Sequence, residues 1–186
     1  MNIALRNIIR RATLATVALL LSFGIAGAQI DLRISKSKIK SSLKRLDQLE
    51  LLAAQLNTAS GSTQAAAAQL CQIAKQCKEL SESISHYINQ VSVLSTLQAS
   101  SEKVLQRTLL LTKLDSLSKE LASHKESISS IGSSIMSLSA SSSASNGTSS
   151  KALKSIGAKI LKIAEKEYLY QAMAVGNMIS ALGAMK

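Results

Sequence analysis

The feature that most constrains this chain is the complete absence of proline from its 186 residues. Proline kinks or ends helices because it lacks an amide donor and clashes with the preceding turn, so its absence permits long uninterrupted helices. Aromatic residues make up only 2% of the chain, and long β-branched runs, which favour strands, are also scarce. The composition therefore predicts an all-α protein with a core of Leu, Ile and Ala.

Apolar residues recur at alternating steps of three and four along three segments. One stripe covers residues 39–56, a second lies in a helix predicted from Gln64 to Ala99, and a third covers residues 110–138. This spacing places the apolar side chains on one helical face. Its persistence over several heptads favours helices that pack side by side with crossing angles of about 20°.

A fourth helix is predicted from Lys151 to about Met185, after a flexible connector of small polar residues at 139–150. The first half of this helix is amphipathic, whereas the segment from Tyr168 to Met185 contains no charged residue. We therefore expect an elongated three- to four-helix bundle with long antiparallel helices and an appended apolar C-terminal helix.

The first 28 residues predict export from the cell. Arg6, Arg10 and Arg11 precede an uncharged run from Ala12 to Gly27, and the segment closes on the Ala-Gly-Ala pattern at 26–28. A positive region, an apolar run and a small-residue cleavage site are together typical of a secretory signal peptide. Cleavage near Ala28 would place the remaining chain in a bacterial periplasm, at the cell surface or outside the cell.

The remaining chain is basic. Three of its 22 bases lie in the signal segment, so 19 bases and 11 acids remain, a net charge of +8. Residues 29–38 are predicted to form a mobile basic arm in front of the bundle at 39–186. Such an arm is either a solvated tail or a contact for anionic lipid, a cell surface or an acidic partner, and the lack of a stacking platform argues against nucleic acid. The basic residues of the arm and of the helix start that follows it are Arg33, Lys36, Lys38, Lys40, Lys44 and Arg45.

Two cysteines, Cys71 and Cys77, lie in the exported part of the chain. On a regular helix they would be about 9 Å apart along the axis, beyond the ~7 Å Cα separation that a disulfide allows. In an oxidising compartment the favoured interpretation is an intrachain disulfide with a local distortion of the helix. Two buried unpaired thiols and a bridge between two copies are the alternatives.

The sequence argues against catalysis. It contains no nucleophile elbow, no glycine-rich phosphate loop and no His-Glu-x-x-His helix. His124 falls on an inward step of the third stripe and His86 lies beside the second, which is typical of structural histidines. The histidines and cysteines also lack the short paired spacing of zinc ligands. The prediction is a non-enzymatic protein that binds no cofactor and no metal.

The charge-free C-terminal segment has two interpretations. It is either a helix buried all round in the bundle or an assembly element that needs a partner or a second copy to cover it. A line of small residues at a spacing of nearly four lets helix backbones approach closely, and it consists of Ala172, Gly176, Ser180 and the pair Gly183 and Ala184. A membrane span is poorly supported because polar residues interrupt a segment that is slightly too short.

The stretch Leu169–Ala181 resembles a C-terminal pattern of one family of exported proteins. The pattern is Leu-x-Gln-Ala, three residues, Gly-Asn, then apolar residues and Ala, and the family is that of the minor pilins and pilus-tip proteins of conjugative type IV secretion systems. The resemblance implies an extended helical bundle that works through contacts in pilus biogenesis or at the pilus tip. It implies no catalytic residue, and it assigns Gln171, Ala172, Gly176 and Asn177 to a packing or assembly motif.

The expected function is thus that of an exported, non-enzymatic component of a type IV secretion or conjugation apparatus, whose partners are other secretion-system or pilus proteins. A membrane-active or surface-adhering basic protein is the first alternative. A periplasmic chaperone that holds unfolded clients is the second.

Overall fold

The computed structural model describes residues 31–58, 63–141 and 147–185. Within these ranges the chain forms four helices, and no residue lies in a strand. Helix α1 covers residues 31–58, α2 is Gln64–Thr96, α3 is Ser101–Ser141 and α4 is Gly147–Ala184. The predicted all-α helical bundle is therefore confirmed.

The core consists of two apolar clusters, one at each end of the bundle. The end of α1, the start of α2, the end of α3 and the start of α4 build the first cluster, and the opposite helix ends build the second. Helices that are consecutive in the chain therefore run antiparallel. The first cluster includes Leu49, Leu56, Leu70, Ile135 and Ile160, and the second includes Ile39, Ile84, Leu94, Leu114 and Met178.

The stripes of three-four spacing form this core, with small shifts. Most of their members are buried, while Leu43, Ile73 and Leu138 are half-buried. In α2 the buried position next to Tyr87 belongs to Ile88, because the larger and more polar tyrosine is only partly enclosed. The helix also ends at Thr96 rather than at Ala99, and the Ser100 side-chain oxygen accepts a hydrogen bond from the Lys103 amide at the start of α3.

The C-terminal helix is not an appended element, which corrects the expectation from the sequence. Its second half continues α4 without a break and packs into the second cluster through Ala174, Val175, Met178 and Leu182. It is not buried all round either, since Leu169 and Ile179 are exposed. The segment lacks charge, but its large apolar residues still form a one-sided stripe, and that stripe holds it in the bundle.

The predicted basic arm is a second correction. Residues 31–38 form the first two turns of α1, and Leu32 and Ser35 in this stretch are buried. Leu32, Ser35 and Ile39 continue the inward stripe at steps of three and four, so the helix is anchored earlier than the apolar spacing alone suggests. Residues 29 and 30, like the signal segment at 1–28, lie outside the described residues.

The serine-rich connector is shorter than predicted. Residues 139–141 complete α3 and residues 147–150 begin α4, so only residues 142–146 of the predicted connector lie outside the described ranges. The Ser150 hydroxyl donates a 2.6 Å hydrogen bond to the Ser139 carbonyl, which joins the two helix ends. Serine has a modest intrinsic helix propensity, and packing of the two helix ends outweighs it here.

The backbones of α3 and α4 come closest at a pair of glycines, Gly132 and Gly157. A Cβ atom on Gly157 would lie 2.6 Å from Met136 Cγ and 3.0 Å from the Gly132 carbonyl oxygen. A Cβ atom on Gly132 would lie 2.9 Å from Leu161 Cγ. A side chain at either glycine would therefore force the facing Leu161 or Met136 side chain to move, and one at Gly157 would also press on the Gly132 carbonyl.

Candidate functional site

A layer of polar side chains separates the two apolar clusters. Glu167, only 3% exposed, accepts hydrogen bonds from the Ser42 hydroxyl and from Arg45 Nε. One helical turn further on, Gln171 Nε2 donates to Ser81 Oγ at 2.7 Å. We call these five residues, contributed by α1, α2 and α4, the polar layer.

Burial and charge act in opposite directions on Glu167. Burial raises the pKa of its carboxyl above the ordinary value, while the hydrogen bond and the charge of Arg45 act to lower it. An uncompensated buried charge costs several kcal/mol, so sliding α4 along α1 by one turn would remove the partners of Glu167 at a large energetic cost. The polar layer therefore fixes the axial register of α1 and α4.

Two buried nitrogen atoms near this level have no hydrogen-bond partner within residues 31–58, 63–141 and 147–185. They are Arg45 Nη2 and His124 Nδ1. His124 is half-buried on α3, at the level between Leu121 of one apolar cluster and Ile128 of the other. Across the same described residues, no three His, Cys, Asp or Glu side chains are grouped so that they could hold a metal ion.

Both cysteines are free, which corrects the favoured disulfide. Helix α2 continues without distortion through Cys71 and Cys77, so the separation along its axis stays at about 9 Å. Cys77 is buried and Cys71 half-buried. Burial, with smaller contributions from the charges of Glu167 and Glu120, raises the pKa of the Cys77 thiol to about 12, so this thiol stays protonated and is a poor nucleophile.

The four residues of the predicted assembly motif do not act together. Gln171 lies in the polar layer, and Asn177 Nδ2 donates to Ser35 Oγ at 2.9 Å, so these two side chains hold α4 to α2 and α1. Ala172 is half-buried. Gly176 is exposed, with no heavy atom within 4 Å of where its Cβ would lie.

The outer face of the second half of α4 carries a second stripe. Its five members follow steps of four, three, four and three, and all are exposed. Two of them are large and apolar: Leu169 is 53% exposed and Met173 42% exposed. The stripe covers 15 residues, about 21 Å of helix from first to last, at the heptad spacing typical of helix–helix contacts. We call it the exposed seam, and it consists of Leu169, Met173, Gly176, Ser180 and Gly183.

A further apolar surface surrounds the turn between α2 and α3, which we call the apolar tip. Its five large side chains are each about half exposed or more, and some of them border a groove of about 430 Å³ that also carries His86 and Lys113. Sequence analysis did not find it, because it lies where two predicted helices meet. Its members are Val93, Leu97, Val104, Leu105 and Leu109.

The six predicted basic residues all lie on α1, and the structure divides them. Lys36 Nζ donates to Asn89 Oδ1 at 2.9 Å, while Lys38 and Arg45 lie 5.6 Å and 4.7 Å from the ring centre of Tyr170. These three hold α1 to α2 and α4. The other three, Arg33, Lys40 and Lys44, are exposed to solvent.

Positive charge is concentrated on one side of the bundle. Helices α1 and α4 together carry 11 bases and 5 acids, whereas α2 and α3 carry 7 bases and 6 acids. Two acids of α1, Asp47 and Glu50, pair with Lys78 of α2 at 2.7 Å and 2.8 Å. These acids are thus turned away from α4, which leaves the α1–α4 side strongly basic.

A groove of about 460 Å³ runs between α1 and α4 on this basic side. Four cations and three apolar side chains line it, together with two glutamines. Sequence analysis missed it because it depends on which helices are neighbours. We call it the basic groove, and it is lined by Arg45, Gln48, Leu51, Leu52, Gln55, Lys159, Lys162, Ile163 and Lys166.

These features define the class of protein as a four-helix bundle with a polar layer between two apolar clusters and with open helix faces. The chain matches no protein-family model, no curated protein and no solved structure. Among the helices that the structure describes, none combines the length and the apolar content that a membrane crossing requires.

Proposed function

We propose that this chain is an exported, non-enzymatic component of a type IV secretion or conjugation apparatus, acting in pilus assembly or at the pilus tip through contacts with other proteins. The signal-like pattern at residues 1–28 and the resemblance of Leu169–Ala181 to minor pilins support this proposal. Export itself stays a prediction, because residues 1–28 lie outside the described residues.

The observation that carries the proposal is the exposed seam on α4. The same helix already buries one stripe in the bundle, yet its opposite face presents Leu169 and Met173 next to two glycines with open space around them. The two large residues stand at one end of the seam and the small residues Gly176, Ser180 and Gly183 follow, where a second helix could approach closely. An exposed apolar stripe of this kind indicates a contact surface for another protein.

The test is to fill the exposed seam with a bulky side chain. In cells that assemble a conjugative apparatus, Gly176→Leu should abolish co-purification of the chain with the pilus or envelope fraction, because it removes the space that a partner helix would occupy. Circular dichroism should show an unchanged helix content, because among the described residues no side chain and no neighbouring helix lies within 4 Å of where a Cβ atom on Gly176 would be.

The matched control is Ala158→Leu, which adds the same side chain at an exposed position in the first half of α4. It should leave co-purification unchanged. The proposal would be contradicted if the Gly176→Leu chain co-purified with the pilus or envelope fraction as well as the unaltered chain does. It would also be contradicted if the protein stayed inside the cell with Met1 still attached.

A second candidate is adhesion to anionic surfaces, and the observation that favours it is the concentration of positive charge on α1 and α4. Flotation of the purified chain with vesicles containing phosphatidylglycerol separates the two proposals. Adhesion predicts that the chain floats with anionic vesicles and is released by salt, whereas the secretion proposal predicts that it stays in the unbound fraction.

A further inference from the structure

We propose that the basic groove between α1 and α4 binds an acidic amphipathic helix of a partner protein. This deepens the proposed function, on which it rests only for the statement that the chain acts by binding other proteins. The basic groove lies along the first half of α4 and the exposed seam along the second half, with Leu169 one turn beyond Lys166. The two surfaces adjoin on α4, and the groove differs from the seam in having α1 as its second wall.

The apolar part of the groove is open to solvent. Leu51 is 64% exposed, the highest value among the large hydrophobic side chains that the structure describes, and it sits beside Leu52 and Ile163, whose own side chains are buried. Water in contact with this surface would be displaced by apolar side chains of a partner, which favours binding.

Three of the four cations of the groove are arranged along one wall, and the fourth, Arg45, lies on α1 and is paired with Glu167. Lys159, Lys162 and Lys166 are exposed and follow each other at steps of three and four, so they form one ridge of α4. Within the described residues, none of the three has a carboxylate within 4 Å. The opposite wall presents the neutral Gln48 and Gln55, and no acid lines the groove.

Shape and charge together favour an acidic helix as the occupant. The α4 wall runs from Lys159 to Lys166, about 10 Å or two helical turns, and the α1 wall from Arg45 to Gln55, about 15 Å. An amphipathic helix places side chains into such a groove at i, i+3, i+4 and i+7. Carboxylates at the same spacing on the partner would face the three lysines. Two grooves between α2 and α3 carry Glu79 and Glu120, or Glu126, and would repel the same segment. The groove at the apolar tip carries no acid but only one lysine, Lys113, against the three of the basic groove.

A lipid surface fits the groove less well. Membrane-surface helices present their apolar side chains on an open face that enters the lipid, with lysines and arginines on the polar face. Here Leu52 and Ile163 are buried between the two helices, and Leu51 is the one apolar side chain of the groove that is exposed. A single exposed leucine offers a lipid layer little apolar surface, whereas a partner helix can place side chains into the groove beside it.

The experiment measures binding of labelled synthetic peptides to the purified mature chain by fluorescence anisotropy. The probe is a peptide of about 14 residues, four helical turns, with Leu at i, i+3, i+4 and i+7 and Glu at the remaining positions. The reference probe has Lys in place of every Glu. We expect saturable binding of the acidic probe and none of the basic one.

Variants of the chain locate the site. Lys159→Glu with Lys162→Glu should weaken binding of the acidic probe roughly tenfold, because two favourable ion pairs become repulsive. Lys151→Glu with Lys154→Glu is the matched control, with the same net charge, helix and spacing but outside the groove; it should change the dissociation constant by less than about twofold. Leu51→Ser should weaken binding by roughly threefold or more, through loss of exposed apolar surface.

Absence of binding by the unaltered chain, or equal loss in the groove variant and its control, would overturn the proposal. The proposal would also be overturned if the unaltered chain floated with phosphatidylglycerol vesicles and the Lys159→Glu, Lys162→Glu variant, but not its control, failed to float. The groove would then bind lipid. The Gly176→Leu chain should bind the acidic probe normally. Co-purification therefore tests the exposed seam, peptide binding tests the basic groove, and either proposal can fail while the other holds.

Discussion

In the first half of α4, Gly157 lies so close to α3 that a single added carbon would meet Met136 and the Gly132 carbonyl. In the second half, no other helix of the described residues comes within 4 Å of where a Cβ atom on Gly176 would lie. Both glycines belong to one continuous helix. The first permits a close helix–helix contact inside the bundle, and the second belongs to a face that the bundle leaves uncovered. A glycine in a helix therefore indicates close helix–helix packing only where a neighbouring helix is in contact with it.

The comparison also shows how the two halves are held. The first half buries isoleucines on one side and exposes lysines on the other, so it is a complete surface helix. The second half buries an equally regular stripe but presents Leu169 and Met173 to solvent instead of lysines. Glu167 stands at the junction and fixes both halves to α1.

The largest effect is expected at this junction. Glu167→Ala should lower the free energy of unfolding by about 3 kcal/mol, because it leaves the partly buried Arg45 without its carboxylate. Urea unfolding followed by circular dichroism measures the change. Replacing both partners, Arg45→Met with Glu167→Leu, should recover most of the loss, and a double variant as unstable as the single one would show that the ion pair is not the cause.

The two glycines give the next effect, and it has opposite signs. Gly157→Ala should destabilise the chain by about 1 kcal/mol, since overpacking costs roughly 1–3 kcal/mol and the better helix propensity of alanine returns about 1 kcal/mol. Gly176→Ala should stabilise it by about 0.5–1 kcal/mol, because the propensity gain meets no clash. Thermal unfolding of the two variants measures the effect. If both melting temperatures shifted in the same direction relative to the unaltered chain, the comparison would be refuted.

The smallest effect concerns pH. Burial raises the pKa of Glu167 above its ordinary value of 4.5, so the folded chain holds this proton more tightly than the unfolded chain. Its contribution to stability is therefore complete below pH 4.5 and is lost as the pH rises through the raised value. The stability of the unaltered chain relative to Glu167→Gln should fall over that range, and parallel curves of unfolding free energy against pH would contradict the assignment.

The helices could be predicted from the sequence because their stripes are long and their breaks are polar. The stripe of α1 began too late in the prediction because Ser35, a polar residue, occupies the inward step between Leu32 and Ile39. Glu167 was missed for a similar reason: it continues the inward stripe of Ile160 and Ile163, but a glutamate among lysines reads as a solvent-facing charge.

The candidate surfaces were less accessible to sequence reasoning. Ser42, Ser81 and Glu167 each lie on an inward step of a different helix, and only the alignment of these helices shows that they form one layer. The basic groove depends on α1 and α4 being neighbours, which spacing within either helix does not determine. The line through Gly176 was found, but its spacing left open whether it faces the core or solvent.

The position of residues 31 and 185 at the same end of the bundle has a practical consequence for labelling the protein. Arg107 Nη1 donates to the Met185 carbonyl at 2.9 Å, and Leu32 belongs to the same apolar cluster as Leu182. Residues 31 and 185 therefore emerge together, beside the apolar tip and Gly183 of the exposed seam. A fluorescent protein joined directly at residue 31 or residue 185 would crowd these surfaces, whereas an epitope inserted between the end of α3 at Ser141 and the start of α4 at Gly147 would join helix ends at the opposite end of the bundle.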